Sequence, residues 1–141
     1  MSTSRQAGCV AVDGRGILIE GPPGSGKSSL ALALIDRGAT LVGDDGVLLE
    51  VAGGHLIAAA HPNIAGKIEV RNVGLIDLPM SQPVPVVLVI RLDGEAPRHI
   101  DSPEAITIAG ITLPLVRLYP DSPVLALRTE VALRTYGLTL S

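Results

Sequence analysis

A mixed α/β domain, rich in short strands and built around a phosphate-binding loop, is the fold class this sequence predicts. Three observations predict it. Gly21-Pro22-Pro23-Gly24-Ser25-Gly26-Lys27-Ser28 fits the pattern G-x-x-x-x-G-K-[ST] at every position, between an apolar run and a helix-like stretch. Most other apolar runs are short and bounded by turn residues, the mark of strands. Only 27–37 and 122–135 read as helices. At 141 residues the chain fits a single domain, 1–141, able to bury roughly two-thirds of its unfolded surface.

The elements follow in order. Cys9 to Asp13 and Gly16 to Glu20 are apolar runs around Gly14-Arg15, a hairpin signal in front of the loop. The helix Lys27 to Arg37 is apolar nearly all round, so it packs on more than one side, and Gly38 ends it. Thr40-Leu41-Val42 leads into Gly43-Asp44-Asp45, and Val47 to Val51 turns at Gly53-Gly54 into His55 to Ala59. The stretch 61–66 reads as a loop. Lys67 to Arg71 alternates, and Leu75 to Leu78 follows Gly74. Val86 to Leu92 is the most continuous apolar run, which predicts a strand at the sheet centre. Ile106 to Ile108 and Ile111 to Leu113 flank a turn at Ala109-Gly110. A last helix begins with Ser122 as N-cap and Pro123 at N1, and Gly137 closes it.

Composition narrows the function. The chain is 47% hydrophobic but holds no Phe or Trp and two Tyr, so Leu, Ile, Val and Ala must build its core. A net charge of −3 gives no basic field, and the lack of aromatics no stacking platform, which argues against nucleic acid. The single cysteine, Cys9, cannot form an internal disulfide and reads as a small core residue in a reducing compartment. No apolar stretch approaches the ~18 residues of a membrane span, and residues 1–8 lack the apolar centre of a signal peptide. A soluble, cytoplasmic protein without a membrane partner is expected.

The loop's chemistry explains its spacing. Glycines let successive backbone N–H groups converge on one point, and the following helix adds the positive end of its dipole. Lys27 reaches the β- and γ-phosphates, and the Ser28 hydroxyl ligates magnesium. ATP and Mg²⁺ are the expected cofactors. Residues 21–28 form the binding set. Nucleotide sites also need a carboxylate near the metal, and kinases a base for the acceptor hydroxyl. Asp44 and Asp45 end one apolar strand and Asp93 ends another. The first pair is preferred, because the strand after the loop's helix is expected to return beside the loop strand. Successive residues point to opposite faces, so the two aspartates should do different jobs.

Residues 21–38, with Leu41-Val42-Gly43-Asp44-Asp45, resemble the catalytic domain of HPr kinase/phosphorylase. Ile68-Glu69-Val70-Arg71-Asn72-Val73-Gly74-Leu75-Ile76-Asp77 resembles the family's second signature, usually written with glycine after the arginine. Ile111-Thr112-Leu113-Pro114 resembles the strand entering its late basic loop. The resemblance covers about 5–135 and implies a strand-rich fold of the HPr kinase/PEP carboxykinase type. It further implies a magnesium-dependent kinase for a serine of HPr, the phosphocarrier of the sugar phosphotransferase system, and a phosphorolysis that returns pyrophosphate. Carried over, Lys27 and Asp44 are catalytic, with Asp44 the proton acceptor, and Ser28 and Glu69 are metal ligands. Asp45, Arg71 and Arg117 are contacts to phosphate or substrate. A short form without the amino-terminal domain of many members is implied, as is a homo-oligomer, a hexamer in the family.

The departures fall on groups that handle free phosphate. Gln6 stands where the family has histidine, Ser29 where it has an acidic residue, Asn72 where it has glycine, and Arg117 alone serves a loop normally richer in arginine. Weak phosphorolysis is the expected consequence. Two other readings compete. A small-molecule kinase needs an arginine-bearing lid, which the sequence does not display; a non-catalytic nucleotide-binding regulatory module is favoured by Gln6 and Ser29. His55, His61 and His99 lack metal-ligand spacing and read as structural or surface residues.

Overall fold

Eleven strands and two helices form in the computed structural model, which describes residues 2–140. In chain order they are β1 (Ser2–Arg5), β2 (Gly8–Val12), β3 (Arg15–Glu20), α1 (Lys27–Asp36), β4 (Thr40–Gly43), β5 (Val47–Ala52) and β6 (His55–Ala60). Then come β7 (Lys67–Val70), β8 (Gly74–Asp77), β9 (Val84–Leu92), β10 (Glu104–Ile108), β11 (Ile111–Leu118) and α2 (Leu125–Tyr136). Nine strands make one mixed sheet in the order β1-β5-β6-β9-β3-β2-β4, with β11 joined to β9 and β10 to β11; β7 and β8 form a separate hairpin.

The continuous apolar run does occupy the centre. β9 pairs in parallel with β3 on one side, while its other side is shared between β6 at Val84 and Pro85 and β11 at Val89 to Leu92. Val86 to Ile90 are all buried, as a strand covered on both faces requires. One core packs α1 and α2 on Ile17, Ile19, Leu88 and Ile90. The other, around Leu18, Val42, Leu49, Leu56 and Val89, fills the opposite face. The registers of β3 and β9 slip at Val87, so Gly16 faces Val86 and Ile17 faces Leu88. The Val87 carbonyl is taken instead by the Leu138 N–H at 3.0 Å, which ties the segment after α2 to the sheet.

α1 ends in a Schellman motif. The Gly38 N–H donates to Ile35 O and the Ala39 N–H to Leu34 O, both at 3.0 Å, with Gly38 at φ 111°. Burial pushes the Cys9 thiol up to about 12, so it is an inert core residue, as the sequence suggests.

Four sequence expectations need correction. The hairpin turn is Asp13-Gly14, both at positive φ, rather than Gly14-Arg15; Val12 pairs with Arg15 across a two-residue loop. β4 does not lie beside the loop strand, because the hairpin partner β2 already fills that edge of β3 and β9 fills the other. β11 runs on past Leu113 through Pro114, which is tolerated because Pro114 faces only β10 and pairing with β9 starts at Leu115. α2 begins at Leu125 with Val124 as its N-cap. The Ser122 hydroxyl accepts from the Val124 N–H in the preceding turn.

Candidate active site

β3 delivers the chain to Gly21, and residues 21–26 turn it into the N-terminus of α1. A β-carbon at Gly21 would stand 2.6 Å from Ser25 Oγ and 3.1 Å from Leu92 Cβ, so no other residue fits where the loop crosses the end of β9. Gly24 at φ 79° and Gly26 at φ 100° adopt backbone angles that glycine takes without strain. A β-carbon on either would meet no protein atom within 4 Å, because both border an open cleft of about 290 Å³.

Lys27 Nζ donates to the Gly21 carbonyl at 2.8 Å, so the lysine arches back over its own loop. The Ser28 hydroxyl donates to Asp44 Oδ1 at 2.6 Å. Asp44 Oδ2 accepts the Glu69 backbone N–H at 3.0 Å. The carboxylate therefore links α1, the end of β4 and β7. Asp44 is buried at 8% exposure, whereas Asp45 is exposed and sits at φ 49°, a left-handed angle that aspartate tolerates better than most residues. Gly43 makes this turn possible. A β-carbon there would lie 2.5 Å from the Gly46 carbonyl oxygen, a backbone atom that cannot step aside cheaply.

The cleft brings together Gln6, Lys27, Ser28, Ser29, Asp44, Asp45, Glu69 and Arg71. Arg117 is not among its walls. Its guanidinium is held by Glu104 at 2.7 Å and Asp93 at 3.0 Å, away from the cleft. The Glu95 N–H and Arg117 hold the Asp93 carboxyl below the usual carboxylate range; this second strand-end aspartate serves an ion cluster. Asn72 adopts φ 71°, which explains why glycine suits this place in the signature and why asparagine can replace it.

One group escaped sequence reasoning. The Glu20 carboxylate accepts from Arg5 Nε at 2.6 Å and from an Arg91 terminal nitrogen at 2.9 Å. Burial alone would raise its pKa, but the two arginines outweigh burial and hold it below the usual range. Glu20 precedes Gly21 and Arg5 precedes Gln6, so the cluster fixes both rims of the cleft. A lone acid at the end of an apolar strand was the available signal.

The donors suit a metal–nucleotide ligand. Ser25 Oγ is buried without a partner inside the loop, and the cleft combines a hydroxyl, carboxylates and a lysine. Among the described residues no group of three His, Cys, Asp or Glu could hold a metal unaided. Magnesium does not require one, since it usually takes one or two carboxylates together with phosphate oxygens.

Residues 1–82 match the family described as the HPr Serine kinase C-terminal domain. The chain belongs to this family. It is 45% identical over 85 residues to the HPr kinase/phosphorylase of Clostridium tetani, covering 60% of this chain and 28% of that protein. It is 32% identical over 108 residues to the HPr kinase/phosphorylase of Mycoplasma mycoides, covering 72% of this chain and 34% of that protein. The chain thus spans about a third or less of these curated relatives. Among solved structures it resembles the Hpr(Ser) kinase/phosphatase from Coxiella burnetii, with a TM-score of 0.83, 30% identity and 94% of each chain covered. The strand-rich P-loop fold of the HPr kinase family is therefore shared beyond the matched residues. No helix among the described residues is long and apolar enough to cross a membrane.

Proposed function

We propose that this chain is a magnesium-dependent, ATP-using protein serine kinase whose acceptor is an HPr-type phosphocarrier. One observation carries the reading: the Ser28–Asp44–Glu69 linkage closes over the same cleft as a complete phosphate loop. Bound ATP and magnesium supply the phosphoryl group and the counter-charge it needs. The loop N–H groups and Lys27 hold the phosphates, Ser28 and Glu69 ligate the metal, and Asp44 accepts the proton of the serine hydroxyl. Arg71 and Asp45 border the space where donor and acceptor meet.

A second assignment of the base is favoured by one fact. Both Asp44 oxygens already carry hydrogen bonds, while the exposed Asp45 borders the cleft without such ties to Ser28 and Glu69. In that version Asp44 holds the metal ligand Ser28 in place and Asp45 takes the proton.

The deciding experiment incubates the chain with labelled ATP, magnesium and HPr and looks for phosphoserine on the carrier. Nucleotide binding without transfer supports the non-catalytic module instead. Assembly into a homo-oligomer, a hexamer by resemblance, belongs to the same proposal. The exposed Val124, Leu127 and Val131, at i, i+3 and i+7 along α2 and its cap, support a covered face there. A monomeric mass by light scattering would remove that part.

A further inference from the structure

A second cavity, of about 360 Å³, opens beside the cleft, and Gln6 and Asp45 belong to the walls of both. No residue of the phosphate loop lines it. The turn 61–64 forms one wall and is fixed by two bonds. The Ile64 N–H donates to the His61 carbonyl at 3.2 Å, and the Asn63 N–H donates to His61 Nδ1 at 3.3 Å. The second bond leaves Nε2 to carry the ring proton in neutral histidine, a donor free for another partner. Ile64, 39% exposed, adds apolar surface. Gly46 backs it closely, since a β-carbon there would lie 3.3 Å from Ile64 Cδ1.

We infer that this side cavity seats the acceptor chain next to its serine, with an apolar side chain against Ile64 and a polar group of that chain on His61 Nε2. The inference rests on the kinase reading above. In-line transfer brings the attacking hydroxyl to the phosphoryl group opposite the leaving oxygen, and the phosphate loop occupies the leaving-group side. A folded acceptor must therefore place the residues flanking its serine on the other side of the cleft. The side cavity meets that need, because it joins the cleft at Asp45 and contains nothing of the loop. His61 then has a role in acceptor choice that its spacing in the sequence does not reveal.

The test uses Ile64→Asp and, as a second variant, His61→Ala, each checked by thermal unfolding for an intact fold. We expect Ile64→Asp to raise the KM for HPr by about tenfold or more, equivalent to one lost apolar contact, and His61→Ala to raise it by a smaller factor. The Kd for a fluorescent ATP analogue stays within about twofold, because neither residue touches the phosphate loop. A weakened nucleotide Kd with an unchanged KM for HPr would show that the cavity holds part of the nucleotide and overturn the inference; so would no change in either. If the unmodified chain transfers no phosphate, the kinase reading fails by itself. Direct binding of HPr to the nucleotide-loaded chain, with and without Ile64→Asp, then decides the cavity, and equal binding by both overturns it.

Discussion

The Ser28 hydroxyl and the Asp44 carboxylate meet at 2.6 Å, and the same carboxylate accepts the backbone N–H of Glu69 through its other oxygen. Asp44 thus fixes the two side chains proposed to hold the metal, one by its hydroxyl and one through its backbone. Asn at this position keeps both contacts if its amide donates to Ser28, whose hydroxyl can turn to accept. The geometry survives while the charge and the basic lone pair are lost. We expect Asp44→Asn to lower transfer by roughly 10²–10⁴-fold with nucleotide affinity little changed. Asp45→Asn should be the milder change. Parallel kinetics of the two variants check this, and the reverse order would move the base to Asp45.

Asp44 meets Ser28 of the phosphate loop, but not by the strand arrangement that the sequence suggests. β4 was expected beside β3, yet β2 stands between them. The loop–helix–strand unit still returns Asp44 to Ser28, since α1 packs across β3, β2 and β4 of the same sheet. The strands that do lie beside β3 are β2 and β9, and Asp93, just past the end of β9, is spent on Arg117. Local pattern located β9, α1 and the phosphate loop because burial on both faces and a glycine-rich turn leave strong marks. β1 left none: Ser2, Thr3 and Ser4 are exposed on an edge strand whose pairing with β5 has no apolar alternation to announce it. The Arg5–Glu20–Arg91 cluster was hidden for a related reason, since it joins residues from three strands and depends on the register of β3 against β9.

Lys27 supplies the cleft with a cation on the loop itself. Lys27→Ala removes it and leaves the Gly21 carbonyl at the loop surface, where water can replace the lost donor. Such electrostatic contacts are worth roughly 3–4 kcal/mol in a transition state, so turnover should fall by about 10²–10³-fold. The unfolding midpoint should stay close to that of the unmodified chain. Undiminished transfer by this variant would exclude the loop as the phosphate site.

Glu20 connects the cleft to acid stability. Its folded pKa lies below the unfolded one, so the stability it confers is full above the ordinary carboxylate range and drains away as pH falls through the folded value. Glu20→Gln removes that acid-side slope. It also removes the shared charge and turns one of the two acceptor oxygens into an amide donor facing a guanidinium, each arginine with 32% of its side chain still in water. Screening by solvent keeps the loss below the ~3–5 kcal/mol of a fully buried pair, and about 1–3 kcal/mol is expected at neutral pH. Denaturant titrations across pH should show the two proteins converging toward acid. Curves that stay parallel at every pH would assign the low pKa of Glu20 no part in stability.

Direction of reaction is the remaining consequence of the cleft. Phosphorolysis joins inorganic phosphate to the phosphoryl group of phosphoserine, releasing serine and pyrophosphate, and the incoming anion must be held in line. Gln6 donates a hydrogen bond but carries no charge, and Arg117 is retained by Asp93 and Glu104 outside the cleft. Arg71 is the one guanidinium among the cleft walls, exposed at the rim, and Lys27 belongs to the phosphate loop that serves the nucleotide. Too little positive charge faces the place of the free phosphate, so we expect a kinase that runs well toward phosphoserine and poorly in reverse. Phosphoserine-HPr supplied with millimolar phosphate should yield pyrophosphate slowly, and Gln6→His should quicken that release more than it changes the forward rate. Pyrophosphate release by the unmodified chain as fast as its forward transfer would mean that the phosphate is held by groups other than these.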